Sequence, residues 1–360
     1  MARFHALKVA EVRRETEDAV VVTFEVPAGL AEDYAFVQGQ HLTLRREIEG
    51  EDLRRNYSIC AGVDESCLQV AIKRVEGGRF SGYANQALRA GDTLEVMTPT
   101  GSFHTALDPA QAKTYAAFAA GSGITPVISL IKTTLAREPK SRFLLFYGNR
   151  EVASIIFKDE LEDLKDRYLE RFSLVHLLSR EKQEVELLNG RIDGAKAEAL
   201  CAAFCPAENL DEAFICGPAG MIEEVGETLE RLGLSRDHIH FELFTTEAGQ
   251  APALGAVEHG KVEGKGTAAA VTVILDGVRT SFALPYGGES LLDAALEEGL
   301  DLPFSCKGGV CSTCRAKLLE GKVDMAVNYA LEPDELDAGF VLSCQARPLT
   351  EKVVLDYDEA

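Results

Sequence analysis

The chain has 360 residues, of which 46% are hydrophobic, so it is long enough to form two or three domains with ordinary cores. The formal net charge of −21 argues against nucleic acid as a partner, because neutralising phosphates requires a basic surface. No apolar run reaches the roughly 18 residues of a membrane span, and residues 1–20 have no apolar signal core. We therefore expect a cytoplasmic protein without a membrane partner.

The first hundred residues predict strands, because AVVVTFEV, HLTLRRE and CLQVAIKRV alternate or are rich in β-branched residues between turn signals. From Thr114 onward, strand patterns alternate with helix patterns, which predicts a parallel sheet covered by helices. The expected organisation is multidomain, with a β-barrel over residues 1–107 followed by an α/β domain over residues 108–244.

A segment rich in Gly and Ala, residues 245–267, has no hydrophobic period and predicts a flexible linker. Residues 268–360 then predict a separate α+β domain. Asp276-Gly277 lies between two alternating runs, which is a strong hairpin signal, and the amphipathic pattern SLLDAALEEG predicts a short helix.

Four of the nine cysteines follow the spacing C-x4-C-x2-C with a distant fourth member. Thiols of a cytosolic protein stay reduced, so grouped cysteines there are more often metal or redox ligands than disulfides. A structural zinc site would usually use two close pairs, and a thioredoxin-like dithiol would use one pair alone. The spacing favours a plant-type [2Fe–2S] cluster, with Gly308 and Gly309 easing the loop around it. The predicted ligands are Cys306, Cys311, Cys314 and Cys344.

The predicted barrel contains three motifs in the order RRNYS, EGGRFSGY and TPTGSF. Each motif alone is a weak signal of function, but the three in this order are a much more specific one. The second opens a helical pattern, and a helix N-terminus can bind phosphate. With AAGSGITP and ICGPAG further on, the body resembles the ferredoxin–NADP reductase superfamily. This resemblance implies a flavin-binding β-barrel and a nicotinamide-binding α/β domain, and the tail then corresponds to a β-grasp ferredoxin domain.

The resemblance also implies the residues that bind FAD. Tyr57 would stack on the isoalloxazine, Ser58 would bond near its N5 atom, and Arg55 would pair with the pyrophosphate at the start of the helix. The complete set of expected FAD contacts is Arg55, Tyr57, Ser58, Ile72, Lys73, Gly78, Arg79, Phe80 and Ser81.

For the nicotinamide nucleotide, the resemblance implies Cys216 beside the nicotinamide and Ser179-Arg180 on a 2′-phosphate, which favours NADPH over NADH. Together with Tyr57, Ser58 and Cys216, the expected catalytic residues include Glu242 and Phe244 near the end of the body. The expected nucleotide contacts are Gly121, Ser122, Gly123, Thr125, Pro126, Arg150, Ser179, Arg180, Cys216, Gly217 and Pro218.

Taken along its whole length, the chain resembles the reductase subunits of bacterial phenylacetyl-CoA epoxidases. That resemblance implies electron transfer from NADPH through FAD and a [2Fe–2S] cluster to the oxygenase component of a multicomponent di-iron monooxygenase. Two alternatives remain: a reductase of another oxygenase, such as a Rieske or steroid hydroxylase, or a zinc-stabilised redox-sensing interaction protein.

Overall fold

The computed structural model describes residues 3–244, 262–264, 266–331 and 333–359. They belong to two compact units, of which the larger is built from residues before 245 and the smaller contains the residues from 262 onward. No helix in these ranges is long and apolar enough to cross a membrane. Most of the predicted linker, residues 245–267, lies outside the described residues.

The larger unit begins with an antiparallel sheet of six strands, which confirms the strand prediction. Across the sheet the order is β4-β3-β6-β1-β2-β5, so β4 and β5 are its edges. Helix α1 (Arg79–Gln86) follows β5 in the chain. The strands are β1 (Phe4–Thr16), β2 (Ala19–Glu25), β3 (His41–Ile48), β4 (Glu51–Ser58), β5 (Leu68–Lys73) and β6 (Thr93–Met97).

This sheet differs in one respect from a fully hydrogen-bonded barrel. Among the described residues its two edges are joined by an isolated bridge, Ile59 to Val70, rather than by a continuous ladder. The Ile59 N–H donates to Gln40, just before β3, whereas the Cys60 N–H donates to Gln69 in β5. The segment after β4 therefore has a neighbour on each side, and its successive N–H groups face these neighbours in turn.

The second half of this unit is a parallel sheet covered by helices, as the strand–helix alternation predicts. Its order is β11-β10-β7-β8-β9, with all four strand pairs parallel. The strands are β7 (Thr114–Ala120), β8 (Arg142–Asn149), β9 (Phe172–Leu178), β10 (Glu212–Gly217) and β11 (Ile239–Leu243). The helices are α2 (Ile124–Arg137), α3 (Lys158–Arg167), α4 (Gly194–Phe204) and α5 (Ala219–Arg231).

The strand order of the parallel sheet creates a crevice between β7 and β10. Strands β8 and β9 lie on one side of β7, whereas β10 and β11 lie on the other, so the connections reverse direction there. Ligands of open α/β sheets bind outside the carboxyl ends of the strands at such a reversal. The crevice therefore lies beside Ala120 and Gly217, the last residues of these two strands.

A buried carboxylate fixes the start of β11, the strand that also carries Glu242. Glu212 in β10 is 4% exposed, and the Lys113 ammonium donates to it at 2.7 Å. His240 Nε2 in β11 lies 3.0 Å from its other oxygen. Burial alone would raise the pKa of Glu212, but these partners lower it to about 2. The carboxylate is therefore ionised at neutral pH and ties β11 to β10.

The smaller unit is the predicted α+β domain. Its main sheet has the order β13-β12-β18-β14-β16, and β15 pairs with β17. Asp276 and Gly277 join the first two strands with φ of 51° and 73°, which confirms the predicted hairpin. The helices are α6 (Leu291–Glu297) and α7 (Pro333–Asp337). The strands are β12 (Ala268–Leu275), β13 (Val278–Pro285), β14 (Arg315–Glu320), β15 (Val323–Met325), β16 (Phe340–Leu342), β17 (Ala346–Pro348) and β18 (Lys352–Asp356).

Candidate functional site

The predicted cluster ligands come together in the smaller unit. Three lie on the loop between α6 and β14, and Cys344 follows β16. The loop winds tightly because Lys307, Gly309 and Ser312 all have positive φ, between 48° and 75°. Gly308, which we expected to share this role, does not have a positive φ.

The four thiols form two pairs. Cys306 lies close enough to Cys311, and Cys314 to Cys344, for the members of each pair to shift each other's pKa. Two pairs are the arrangement that a two-iron cluster needs, with two thiolates for each iron.

Backbone and side-chain N–H groups also point at these sulfurs. The Gly308 N–H donates to the Cys306 sulfur at 3.3 Å, and the Gln345 side-chain amide donates to the Cys344 sulfur at 3.5 Å. The hydrogen bond from Cys311 and the backbone N–H donors lower the pKa of Cys306. The pKa of Cys344 is lowered as well, whereas interaction with these partners and burial raise those of Cys311 and Cys314. The N–H donors fit a [2Fe–2S] cluster, whose sulfur ligands accept hydrogen bonds.

In the larger unit, the candidate flavin residues at the end of β4 contact β11. The Ser58 hydroxyl is buried and donates to the Glu242 carboxylate at 3.0 Å. Burial raises the pKa of Glu242 to about 8, although the Ser58 bond lowers it. Tyr57 is partly exposed, with its ring 5.8 Å from that of Phe80. The partly exposed ring can stack on a flat ligand, and the neighbouring hydroxyl–carboxyl pair can supply a proton to it.

The start of α1 lies close to this ring. Gly78 caps the helix, and a Cβ there would lie 2.5 Å from the Ser81 hydroxyl. That hydroxyl accepts the Val75 N–H at 3.1 Å, which closes the turn. The Ile72 carbonyl at the end of β5 accepts from the Asn85 amide at 3.0 Å and so holds the helix against the strand.

Three basic residues predicted to bind FAD have protein partners of their own. The Arg79 guanidinium donates to Glu51 at 2.6 Å and to the Ile48 carbonyl at 2.7 Å. Lys73 lies 3.7 Å from Asp18. The Arg55 side chain is exposed and donates to the Arg54 carbonyl at 2.7 Å. Of the three, Arg79 is held most firmly. To contact FAD, its guanidinium would have to break the ion pair with Glu51.

The glycine turn after β7 contacts the end of β10 at the crevice. Residues Gly121–Gly123 form one turn of 3-10 helix that leads into α2, with Thr125 and Pro126 in its first turn. A Cβ on Gly123 would lie 2.1 Å from the Cys216 carbonyl oxygen and 3.2 Å from its sulfur. Cys216 is fully buried, and burial raises the pKa of its thiol well above the usual range. The thiol is therefore neutral at the carboxyl ends of these strands.

Gly217 and Pro218 lead from β10 into α5, and Pro218 is the residue that caps this helix. Phe244 directly follows β11 and is partly buried against the core of the larger unit. The Gly121 turn and the Gly217 turn thus follow the two strands that border the crevice.

A separate cleft of about 420 Å³ lies at the end of β9 and includes the predicted pair Ser179 and Arg180. Sequence reasoning missed Lys182, a second cation lining it, because nothing local distinguishes an exposed lysine. The Glu181 carboxylate also lines the cleft but accepts the Val152 N–H at 2.9 Å. Arg150 is exposed, and its carbonyl accepts the Arg180 N–H at 2.8 Å.

Comparison with protein families identifies three matching regions. Residues 6–105 match an oxidoreductase FAD-binding domain, residues 118–227 an oxidoreductase NAD-binding domain, and residues 273–349 a 2Fe-2S iron-sulfur cluster binding domain. The third match contains all four paired cysteines and therefore disfavours the zinc-stabilised interaction protein.

Among curated proteins, the chain is 49% identical to one of the subunits of the 1,2-phenylacetyl-CoA epoxidase of Escherichia coli K12, over 99% of both chains. It is 35% identical to the ferredoxin reductase component of 3-ketosteroid-9-alpha-monooxygenase from Rhodococcus rhodochrous, over 98% of this chain and 96% of that protein. Among solved structures, phthalate dioxygenase reductase matches over 98% of both chains with a TM-score of 0.60 and 26% identity.

These relatives match the chain over nearly its whole length, and the two-pair cysteine site and the crevice residues lie within the three matched regions. The chain therefore belongs to the ferredoxin–NADP reductase superfamily, within its branch of iron–sulfur flavoprotein oxidoreductases that supply electrons to oxygenases through a C-terminal ferredoxin domain.

Proposed function

We propose that this chain is the NADPH-dependent reductase of a di-iron oxygenase that epoxidises phenylacetyl-CoA. The observation that carries the proposal is 49% identity, over nearly the whole of both chains, to a subunit of a 1,2-phenylacetyl-CoA epoxidase. Electrons would pass from NADPH to FAD, then to the [2Fe–2S] cluster and then to the oxygenase. We propose the domain limits 1–107, 108–244 and 268–360 for these three centres, with residues 245–267 as the linker.

Bound FAD would accept two electrons as a hydride and release them one at a time. The chain's part is to hold the flavin and manage a proton. Tyr57 would stack on its ring, and Ser58 would bond near N5. Gly78 and Ser81 would bring the start of α1 against the pyrophosphate, since helix N-termini favour phosphate. Arg55, which is exposed, would add a positive charge.

Glu242 would serve as the proton source of this site. Its carboxyl accepts from Ser58, and its pKa of about 8 keeps it protonated at neutral pH. For proton transfer this hydrogen bond would reverse, so that the protonated Glu242 donates to the Ser58 oxygen while the Ser58 hydroxyl proton passes to the flavin side. The neutral Cys216 thiol and the Gly123 turn would lie against the nicotinamide at the ends of β10 and β7. Phe244 would shield the nicotinamide from water.

For the nucleotide, we propose NADPH rather than NADH. Arg180 and Lys182 line the cleft at the end of β9, where two cations suit a 2′-phosphate. Two carboxylates, Glu181 and Glu186, line the same cleft, and Glu181 accepts the Val152 N–H at 2.9 Å. The four cysteines would hold the cluster, with Cys306 and Cys311 on one iron and Cys314 and Cys344 on the other.

Glu242→Gln should change the pH dependence of NADPH oxidation. In the wild type the rate should fall as the pH rises through about 8, where Glu242 loses its proton. In the variant the fall in rate near pH 8 should disappear. The rate at pH 7 should be about 100-fold lower than in the wild type, because an amide supplies no proton. Stopped-flow measurement of flavin reduction between pH 6 and pH 9 provides the test.

Stability gives an independent readout of the same carboxyl. The raised pKa means that the folded state holds a proton that the unfolded state loses from about pH 4.5 upward. Glu242 therefore makes the wild type less stable as the pH rises toward 8, and Glu242→Gln should lose less stability over this range. Glu25→Gln, on an exposed strand position, is the control. Equal pH profiles for wild type and Glu242→Gln would refute this role.

The partner is tested by reconstitution. Purified phenylacetyl-CoA epoxidase oxygenase subunits without their reductase should consume phenylacetyl-CoA under air only when this protein and NADPH are both added. The oxygenase component of a 3-ketosteroid monooxygenase is the comparison, since a reductase of that system is 35% identical to this chain. Turnover of the steroid alone would move the assignment to that class of oxygenase.

A further inference from the structure

A buried tyrosine lies behind the glycine turn at the crevice. Tyr147 in β8 is completely buried, and its hydroxyl donates to the Gly121 carbonyl at 2.9 Å. The Ile156 carbonyl lies at 3.5 Å from the same hydroxyl. A hydroxyl has one proton, so the shorter contact, to Gly121, is the bond it makes.

The Tyr147 bond fixes the direction of one peptide group. In a trans peptide the C=O of one residue and the N–H of the next point to opposite sides. Because the Gly121 carbonyl points inward to Tyr147, the Ser122 N–H points the other way. Ser122 belongs to the first turn before α2, where N–H groups have no partner within the helix. An N–H donor is thus presented on the side away from the core.

The turn is held in a conformation that needs such support. Gly121 has a φ of +55°, and its carbonyl also accepts the Ile124 N–H, so Tyr147 is a second anchor on the same oxygen. On the other side of Tyr147, Phe157 has a φ of 60°, and its N–H donates to Glu15 in β1 at 2.8 Å. Tyr147 therefore lies between two backbone segments with unusual dihedral angles, each fixed by its own hydrogen bond.

We propose that Tyr147 is a positioning residue for the nicotinamide nucleotide. Its hydroxyl holds the Gly121–Ser122 peptide so that the Ser122 N–H can donate to an acceptor oxygen of the bound nucleotide. Tyr147 does not itself touch the nucleotide, since it is fully buried behind the turn. The inference rests on the proposed function, which places the nucleotide at this turn.

Tyr147→Phe removes only the hydroxyl and keeps the ring that packs in the core. We expect the Kd for NADP+ and the KM for NADPH to rise by about five- to tenfold, the usual effect of one lost hydrogen bond. The kcat should stay within about twofold, and FAD and iron contents should not change. This split between KM and kcat distinguishes positioning from a general loss of structure.

Tyr115→Phe is the matched control. Tyr115 lies in the adjacent strand β7, is also fully buried, and donates its hydroxyl to Glu138 at 2.9 Å, away from the turn. The control should bind NADP+ like the wild type. An unchanged Kd in Tyr147→Phe, or an equal loss in Tyr115→Phe, would overturn the inference.

Amide hydrogen exchange on the unsubstituted protein tests the same point if Tyr147→Phe does not fold. The Ser122 amide should exchange quickly in the free protein and become protected when NADP+ saturates it. Exchange that NADP+ leaves unaltered would overturn the inference while nucleotide binding stands. A wild-type protein that binds neither NADP+ nor NAD+ would instead remove the proposed function, and the inference with it.

Discussion

Replacing Cys314 with serine should abolish electron transfer beyond the flavin. Cys314 is 2% exposed and shares a thiol pair with Cys344, so its loss leaves one thiolate where an iron needs two. NADPH-driven reduction of cytochrome c through the cluster should fall by more than about 100-fold, since even loss of a residue behind a metal ligand costs 10- to 100-fold. Ferricyanide, which accepts electrons from the flavin, should still be reduced at a rate within about twofold of the wild type.

Cys201→Ser provides the matched control for this substitution. Cys201 lies in α4 of the larger unit and is also 2% exposed, so the two changes put the same hydroxyl at equally buried sites. Iron and acid-labile sulfide should be lost from Cys314→Ser and retained in Cys201→Ser. A Cys314→Ser protein that keeps both irons and full cytochrome c activity would disprove the assignment of the cluster ligands.

Replacing Gly123 with alanine should disable hydride transfer from the nucleotide. The new Cβ would lie 2.1 Å from the Cys216 carbonyl oxygen and 2.6 Å from its carbon, so the turn and β10 must separate. Both contacts are with backbone, which cannot rotate aside. Displacements of about 1 Å at a reacting site can cost about 100-fold in rate, and we expect a loss of that size in NADPH-dependent flavin reduction.

The same substitution at Gly226 is the control. Gly226 lies inside α5, where an added Cβ meets only Ile215 at an ordinary 3.9 Å. Gly226→Ala should therefore leave the rate unchanged and stabilise the helix by up to about 1 kcal/mol. Stopped-flow reduction by NADPH, with dithionite reduction as a check that the flavin remains bound, measures both variants. Wild-type rates in Gly123→Ala would contradict the role of this contact.

Features that depend on local chemistry could be predicted from the sequence. Asp276-Gly277 adopts the two positive φ angles that a tight hairpin needs, and the strand–helix alternation after Thr114 produces the parallel sheet. The cysteine spacing is likewise local for three of the four ligands. Each of these patterns depends on backbone preferences or on the spacing of residues within a segment of about 20 residues.

Features that depend on packing between distant segments could not be predicted in the same way. Ser58 and Glu242 are 184 residues apart, and the resemblance to a family implied a site role for each of them but not the hydrogen bond between them. Arg79 follows a phosphate-type motif, but in the structure its guanidinium pairs with Glu51 on the β4 strand. Tyr147 is one aromatic residue in an apolar strand, and its role depends on a carbonyl 26 residues away.

Anaerobic titration of the purified full-length chain with NADPH tests the electron path most directly. Visible absorbance would follow the flavin, and electron paramagnetic resonance would follow the reduced cluster. We predict that the flavin is reduced first and that the signal of a reduced [2Fe–2S] cluster then appears without any other reductant. A flavin that NADPH reduces fully while the cluster stays oxidised would contradict transfer from NADPH through the flavin to the cluster.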